Sequence, residues 1–136
     1  MKIYHSNANL SYKYGKCKLY YYNGKLMFEG EYLDGKMWNG KGYNLKGEIE
    51  YEIINGKGTN IKIYYSNDKL RFEGYYLNGE KNRKGKEYDY YGKVIFEGEY
   101  LDGKRWNGKG KEYNKENELI FEEEYINGEK IECLNE

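Results

Sequence analysis

The sequence predicts an all-β fold: an elongated, single-layer antiparallel meander of β-hairpin repeats, about five and a half units long. Three observations predict it. A fifteen-residue segment recurs almost unchanged, as FEGEYLDGKMWNGKG from Phe28 and as FEGEYLDGKRWNGKG from Phe96. Apolar and charged side chains alternate within each copy, which is typical of a strand with two different faces. Asn-Gly or Asp-Gly pairs follow at regular intervals and indicate tight reversals.

The repeat predicts a single domain over residues 1–136. The leading apolar positions lie 21, 23, 24 and 25 residues apart, at Phe28, Ile49, Phe72, Phe96 and Phe121. They define repeats over 28–48, 49–71, 72–95 and 96–120, with a degenerate N-terminal cap unit over 1–27 and a C-terminal partial unit over 121–136. The ends of a repeat array are expected to be atypical, and Glu123 indeed stands where other units carry glycine.

Each unit is predicted to contain two strands and two turns. In the unit of Phe96, alternation places Phe96, Gly98 and Tyr100 on one face and Glu97 on the other. The predicted turns are Asn23-Gly24, Asp34-Gly35, Asn55-Gly56, Asn78-Gly79, Asp102-Gly103 and Asn127-Gly128. A strand glycine leaves room for an aromatic ring, so the apolar face is expected to be a ladder of rings over glycines. Its predicted members are Phe28, Tyr32, Phe72, Tyr76, Phe96 and Tyr100.

Charge and composition exclude several classes of partner. The chain has 23 Lys and Arg and 23 Asp and Glu, so it lacks the basic excess of most nucleic-acid binders. The N-terminal residues lack the apolar core of a secretory signal, and no stretch approaches a membrane-spanning length, so we expect a cytoplasmic protein. In the predicted meander Cys17 and Cys133 lie on the order of 40 Å apart, so we expect free thiols rather than a disulfide.

The segment FEGEYLDGKxWNGKG resembles the MORN repeat, an aromatic-x-Gly-x-aromatic-x-x-Gly pattern followed by Gly-x-Gly. The resemblance covers roughly residues 14–130. Two units depart from it by one extra residue, at Trp38 and Trp106, and one carries Arg83 where glycine is expected. The Asn-Gly-Lys-Leu turns also resemble the bacterial variant found in antitoxin and immunity proteins. The resemblance implies a twisted antiparallel sheet, and a role as a scaffold, a phospholipid binder or a toxin-neutralising protein.

The candidate partner-binding residues cluster around the two unusual loops. Trp and Arg are frequent binding hot spots, which predicts partner contacts at Trp38, Trp106, Arg105 and Arg83, with Met37 beside them. The competing interpretation is that each indole caps its own hairpin. The aromatic face likewise admits two interpretations, a packed structural ladder or a surface partly open to a partner.

No catalytic, metal or cofactor site is predicted. The carboxylates recur in every unit and imply no pocket, and His5 is the single histidine, so we expect no enzyme, no bound metal and no cofactor.

The expected function is therefore that of a non-catalytic protein-binding module, most simply an inhibitor or antitoxin-type protein that neutralises a toxin or effector nuclease by stoichiometric binding. Two alternatives stay open: a scaffold or phospholipid adaptor, and a phage-encoded inhibitor of a host defence nuclease. Pairing of exposed sheet edges leaves a homodimer open as well, because no proline blocks the edges.

Overall fold

The structure, a computed structural model, describes residues 2–4 and 14–132. Within those residues the chain forms twelve strands and no helix. The strands are β1 (Lys2–Tyr4), β2 (Tyr14–Tyr20), β3 (Leu26–Leu33), β4 (Lys36–Tyr43), β5 (Ile49–Ile53), β6 (Gly58–Tyr64), β7 (Leu70–Leu77), β8 (Glu80–Tyr88), β9 (Val94–Leu101), β10 (Lys104–Tyr113), β11 (Leu119–Ile126) and β12 (Glu129–Glu132). The predictions for His5 and Cys133 concern residues outside the described ranges.

Consecutive strands pair with each other, which confirms the predicted all-β meander. Two features depart from a single continuous antiparallel sheet. The pair β1 and β2 is parallel, and the ladder is interrupted between β5 and β6, so the strands divide into sheets β1–β5 and β6–β12. At the interruption the two strands are joined by one bridge, from Ile54 to Lys57. A Cβ on Gly58 would lie 2.6 Å from the Glu52 carbonyl oxygen, so the two strands stay in close contact at the interruption.

Two kinds of turn connect the strands in the described part. Five two-residue turns have both residues in the left-handed region, as at Asp34 (φ 52°) and Gly35 (φ 77°). This is the type I′ geometry that matches the strand twist. The others of this kind are Asn55-Gly56, Asn78-Gly79, Asp102-Gly103 and Asn127-Gly128.

The second kind of turn reverses the chain over three residues and is capped by an Asn or Asp side chain. In one example the Gly47 amide donates to the Asn44 carbonyl at 3.0 Å, and Gly47 takes a left-handed φ of 80°. The Asn44 Oδ1 accepts hydrogen bonds from the amides of Lys46 and Glu48, at 2.9 and 3.0 Å. Asn23-Gly24 belongs to a turn of this kind rather than to a two-residue turn, and it has the same carbonyl contact between Gly24 and Tyr21.

The aromatic face forms the core, as predicted. The rings of Phe28, Phe72 and Phe96 are 0 to 1% exposed, and each lies over a pair of facing glycines. At Gly30 an added Cβ would lie 2.6 Å from the Gly40 Cα and 2.8 Å from the Phe28 ring, so the ring covers both glycines. Tyr32 and Tyr100 are also buried. The buried residues form two clusters, one that contains Phe28 and one that contains Phe72 and Phe96, and the partly buried Tyr76 packs against both.

In the unit predicted to start at Ile49, the strand register places the repeat two residues later along the chain. Ile49 pairs with Tyr43 in the way that Val94 pairs with Tyr88, so Tyr51, two residues later, takes the position of the core phenylalanines. Tyr51 is 6% exposed and its ring stacks on Phe28, with the ring centroids 6.4 Å apart, whereas Ile49 is 58% exposed. A shift by two residues keeps every side chain on its original face, so the alternation pattern does not distinguish the two frames.

Candidate functional site

The strands give the protein two chemically distinct faces. We call the side that carries the core phenylalanines the inner face and the opposite side the outer face. Lysines and glutamates alternate strand by strand across the outer face, as in the pairings Glu73–Lys86, Lys86–Glu97 and Glu97–Lys109. Glu29 faces Lys41 in the same row. These pairs are solvated, and each contributes about 1 kcal/mol or less to the free energy of unfolding. The row therefore balances positive and negative charge on this face but adds little stability.

The two tryptophans lie within strands, at β-bulges. Tyr32 pairs with Met37 and Glu31 pairs with Asn39, which leaves Trp38 as the extra residue. The same shift leaves Trp106 unpaired in β10. Bulges commonly redirect a side chain. The extra residue that departs from the repeat pattern is therefore built into a strand rather than into a loop.

Each tryptophan covers the two-residue turn of the following unit. A Cβ on Gly128 would lie 2.8 Å from the Trp106 ring, and the Gly128 amide donates to the Trp106 carbonyl at 2.9 Å. The neighbouring Asn107 Oδ1 accepts from the Asn127 amide at 2.9 Å. Trp38 makes the same set of contacts three repeats earlier, with its ring 2.6 Å from the Cβ position of Gly56. The indoles thus cap the next hairpin rather than their own, and both remain partly exposed.

The outer face carries one aliphatic residue per unit immediately before each two-residue turn. Ile54, Leu101 and Ile126 are 57%, 41% and 43% exposed, and Leu33 and Leu77 are partly exposed. Together with the tryptophans and one arginine they form what we call the outer strip, consisting of Leu33, Trp38, Ile54, Leu77, Arg83, Leu101, Trp106 and Ile126. Exposed apolar groups repeated along one edge are typical of an interaction surface.

Arg83 joins this strip through an aromatic contact. It adopts a left-handed φ of 54°, and its guanidinium lies 4.7 Å from the centroid of the Tyr75 ring. Arg83 is exposed. The planar cation on an aromatic support resembles the arrangement of binding hot spots in general.

Arg105 and Met37 lie on the inner face instead. They occupy equivalent positions, opposite Tyr100 and Tyr32 in the register. Met37 is 6% exposed and belongs to the core. The structure therefore separates the five predicted partner-binding residues, with Trp38, Trp106 and Arg83 on the outer strip and the other two on the inner face.

Arg105 is the centre of a charged network that covers the aromatic core. Its guanidinium forms two hydrogen bonds with the Glu87 carboxylate, at 3.1 and 2.8 Å, and one with the Tyr125 hydroxyl at 3.1 Å. The Tyr100 hydroxyl donates to the same carboxylate at 2.7 Å. The guanidinium carbon lies 4.8 Å from the centroid of the Phe96 ring. The Arg105–Glu87 ion pair thus covers the Phe96 ring, which a second layer of secondary structure would cover in a two-layer fold.

The protonation of this network suits a structural role. Burial acts to raise the pKa of Glu87, but the hydrogen bonds from Arg105 and Tyr100 outweigh it and hold that pKa below its ordinary value. Burial and the hydrogen bond to Glu87 raise the pKa of Tyr100. An ionised carboxylate that accepts hydrogen bonds from two side chains is a weak proton acceptor near neutral pH. The network is therefore better suited to stabilising the local structure than to proton transfer.

The thiol of Cys17 is equally unsuited to nucleophilic chemistry. It is free, 6% exposed, and faces Gly30 in the core. Burial raises its pKa to about 11, which keeps it protonated at neutral pH.

Sequence reasoning missed the aliphatic members of the outer strip and the partner of Arg105. The first had a visible signal, because an Ile or Leu precedes every two-residue turn in a position that alternation sends outward. The second had none, because Glu87 belongs to the preceding unit.

Within residues 2–4 and 14–132 no cluster of His, Cys, Asp or Glu side chains is arranged to hold a metal ion. No helix in that part of the chain is long and apolar enough to cross a membrane. The fold and faces define an all-β protein of stacked hairpins. Comparison of the chain with protein-family models, with curated proteins and with solved structures finds no match.

Proposed function

We propose that this chain is a non-catalytic protein-binding repeat module that neutralises a partner protein, of the toxin or effector-nuclease class, by stoichiometric binding. The observation that supports it best is the outer strip, where apolar side chains recur once per unit and remain exposed. The resemblance to antitoxin-type repeats supports the class of partner, and the balanced charge argues against nucleic acid as the target.

The proposal locates binding on the outer strip. Leu101 and Ile126 flank Trp106 at the same edge of the sheet, about 10 Å apart if two strands separate them. A partner that covers this edge would bury both aliphatic side chains and the open side of the indole. Burying an ionised carboxylate in such a contact costs more than burying an uncharged polar group, for which transfer data give roughly 2 to 7 kcal/mol, because the charge must be desolvated.

The test compares two surface variants of the full chain as baits in a lysate of the source cells. The strip variant is Leu101→Asp with Ile126→Asp. The matched control is Tyr22→Asp with Tyr91→Asp, whose side chains are 73% and 70% exposed at the three-residue turns. We expect the wild type and the control to capture the same protein in equimolar amount, and the strip variant to lose it.

Capture alone is insufficient, because the proposal is one of neutralisation. The captured protein, purified and mixed with this chain, is expected to lose its activity at a molar ratio near one. Equal capture by the strip variant would remove the outer strip from the proposal. Flotation of the chain with anionic vesicles, without a protein partner, would favour the adaptor class instead.

A further inference from the structure

One cation on the inner face lacks the partner that its counterparts have. Arg105 forms its ion pair with Glu87, and Lys130 forms one with Glu123 at 2.6 Å. Each of these two cations lies opposite a tyrosine in the strand register. Lys81 holds the same position in the unit of Phe72, opposite Tyr76. Within the described residues Lys81 contacts aromatic rings and forms no ion pair.

The register explains why Lys81 is different. Glu87, the partner of Arg105, pairs with Phe96 on the neighbouring strand. The residue that pairs with Phe72 in the same way is Ile63. An aliphatic side chain therefore stands at the register position where the next unit has a carboxylate.

The surroundings of Lys81 otherwise reproduce those of Arg105. The Lys81 ammonium lies 4.7 Å from the ring centroid of Phe72 and 5.8 Å from that of Tyr100. The Arg105 guanidinium lies 4.8 and 5.5 Å from the rings of Phe96 and Tyr125. Burial lowers the pKa of Lys81, and the nearby Glu87 carboxylate, which is paired with Arg105, offsets this effect only in part.

An ammonium in this position is costly to the fold, since a desolvated charge is stable only when it is paired. The neighbouring unit shows which group satisfies the site, because there a carboxylate is held between a cation and a tyrosine hydroxyl. In the unit of Phe72, Tyr76 takes the place of that tyrosine.

We propose that Lys81, together with Tyr76, forms a binding site for the carboxylate group of a ligand on the inner face, where Ile63 replaces the internal glutamate. The ligand carboxylate would neutralise the Lys81 ammonium as the Glu87 carboxylate neutralises the Arg105 guanidinium one unit later. Its source is either a small free carboxylate or an acidic side chain of a partner protein. The site lies on the opposite face from the outer strip, so it stands independently of the proposed neutralising function.

The test follows the full chain by NMR while sodium acetate is added at constant ionic strength, with chloride as the balancing anion. We expect the ring signals of Phe72 and Tyr76 to shift with a saturable dependence on acetate. Lys81→Met removes the cation and introduces the residue type that the repeat 28–48 carries at the equivalent position, Met37. It is expected to weaken acetate binding about tenfold or more, whereas Lys104→Met, at an exposed lysine, leaves it unchanged.

A second variant tests the geometry from the other side. Ile63→Glu supplies an internal carboxylate, which is expected to pair with Lys81, to abolish the saturable response to acetate and to raise the pKa of Lys81. Ile63→Gln is the matched control and retains the response. A response that is linear in acetate, or that survives Lys81→Met, would overturn the proposal.

The source of the carboxylate is assigned by comparing acetate with a short peptide that carries one glutamate and blocked termini. A peptide that binds about tenfold more tightly than acetate assigns the site to an acidic side chain of a protein. Equal affinities assign it to a free carboxylate.

Discussion

The ion pair that covers Phe96 is expected to be replaceable by an apolar pair that the protein already uses elsewhere. Leu19 of the N-terminal cap unit and Met37 of the repeat 28–48 occupy the positions of Glu87 and Arg105. The Glu87 and Arg105 side chains are 18% and 24% exposed, with an N–O distance of 2.8 Å. Breaking a buried pair costs about 3 to 5 kcal/mol and an exposed one about 1 or less. For this partly buried pair we expect Arg105→Met alone to cost about 2 to 3 kcal/mol of unfolding free energy, because it leaves the Glu87 carboxylate desolvated.

The double variant Glu87→Leu with Arg105→Met removes both charges and is expected to lie within about 1 kcal/mol of the wild type, so the losses of the two single variants should not add. Urea unfolding of the wild type, the two single variants and the double variant measures all four free energies. The variants should share one m-value if the fold is unchanged. A double variant that loses the sum of the two single losses would refute the equivalence of the two units.

Three further predictions concern the cap, the core and the tyrosines. Trp106→Ala uncovers the following turn and is expected to cost about 2 to 3 kcal/mol, whereas Trp106→Phe should cost about 1, as measured by urea midpoints. Gly98→Ala places a Cβ 2.2 Å from a backbone oxygen and should cost about 3 kcal/mol or more of unfolding free energy. Gly47→Ala should cost about 1 kcal/mol, because no atom lies within 4 Å of the added Cβ and only the left-handed φ of 80° is unfavourable. Equal losses for the two variants would contradict the close approach at Gly98. Burial raises the pKa of Tyr32 and Tyr51 well above the ordinary value of 10.0, so the stability they provide is present below pH 10 and is lost as the pH rises further. Thermal midpoints should therefore fall above about pH 10, together with the appearance of tyrosinate absorbance.

Much of the fold could be predicted from local signals. The paired left-handed residues of a type I′ turn require Asn-Gly or Asp-Gly, so the sequence located these reversals directly. The alternation around Phe28 and Phe96 identified the buried face. The frame at Ile49 was wrong by two residues, because a period of two places Ile49 and Tyr51 on the same face and only the pairing partner distinguishes them.

The candidate site was less predictable, because it depends on contacts between units. The sequence singled out Trp38 and Trp106 as extra residues, but a bulge that aims each ring at the next turn is a property of the assembled sheet. The interruption between β5 and β6, where a single bridge joins the two strands, was likewise not predictable from the local sequence.

By itself, the sequence determined the class of fold, the turns and the face that is buried, because each of these follows from the conformational preferences of neighbouring residues and from a period of two. Tertiary structure alone decided which charges are paired. Met37 and Arg105 differ within otherwise identical segments, and whether that position is core or cation depends on Leu19 or Glu87 in the preceding unit. Lys81 lacks an ion pair for the same reason, because strand register puts Ile63 at the position that Glu87 holds in the next unit.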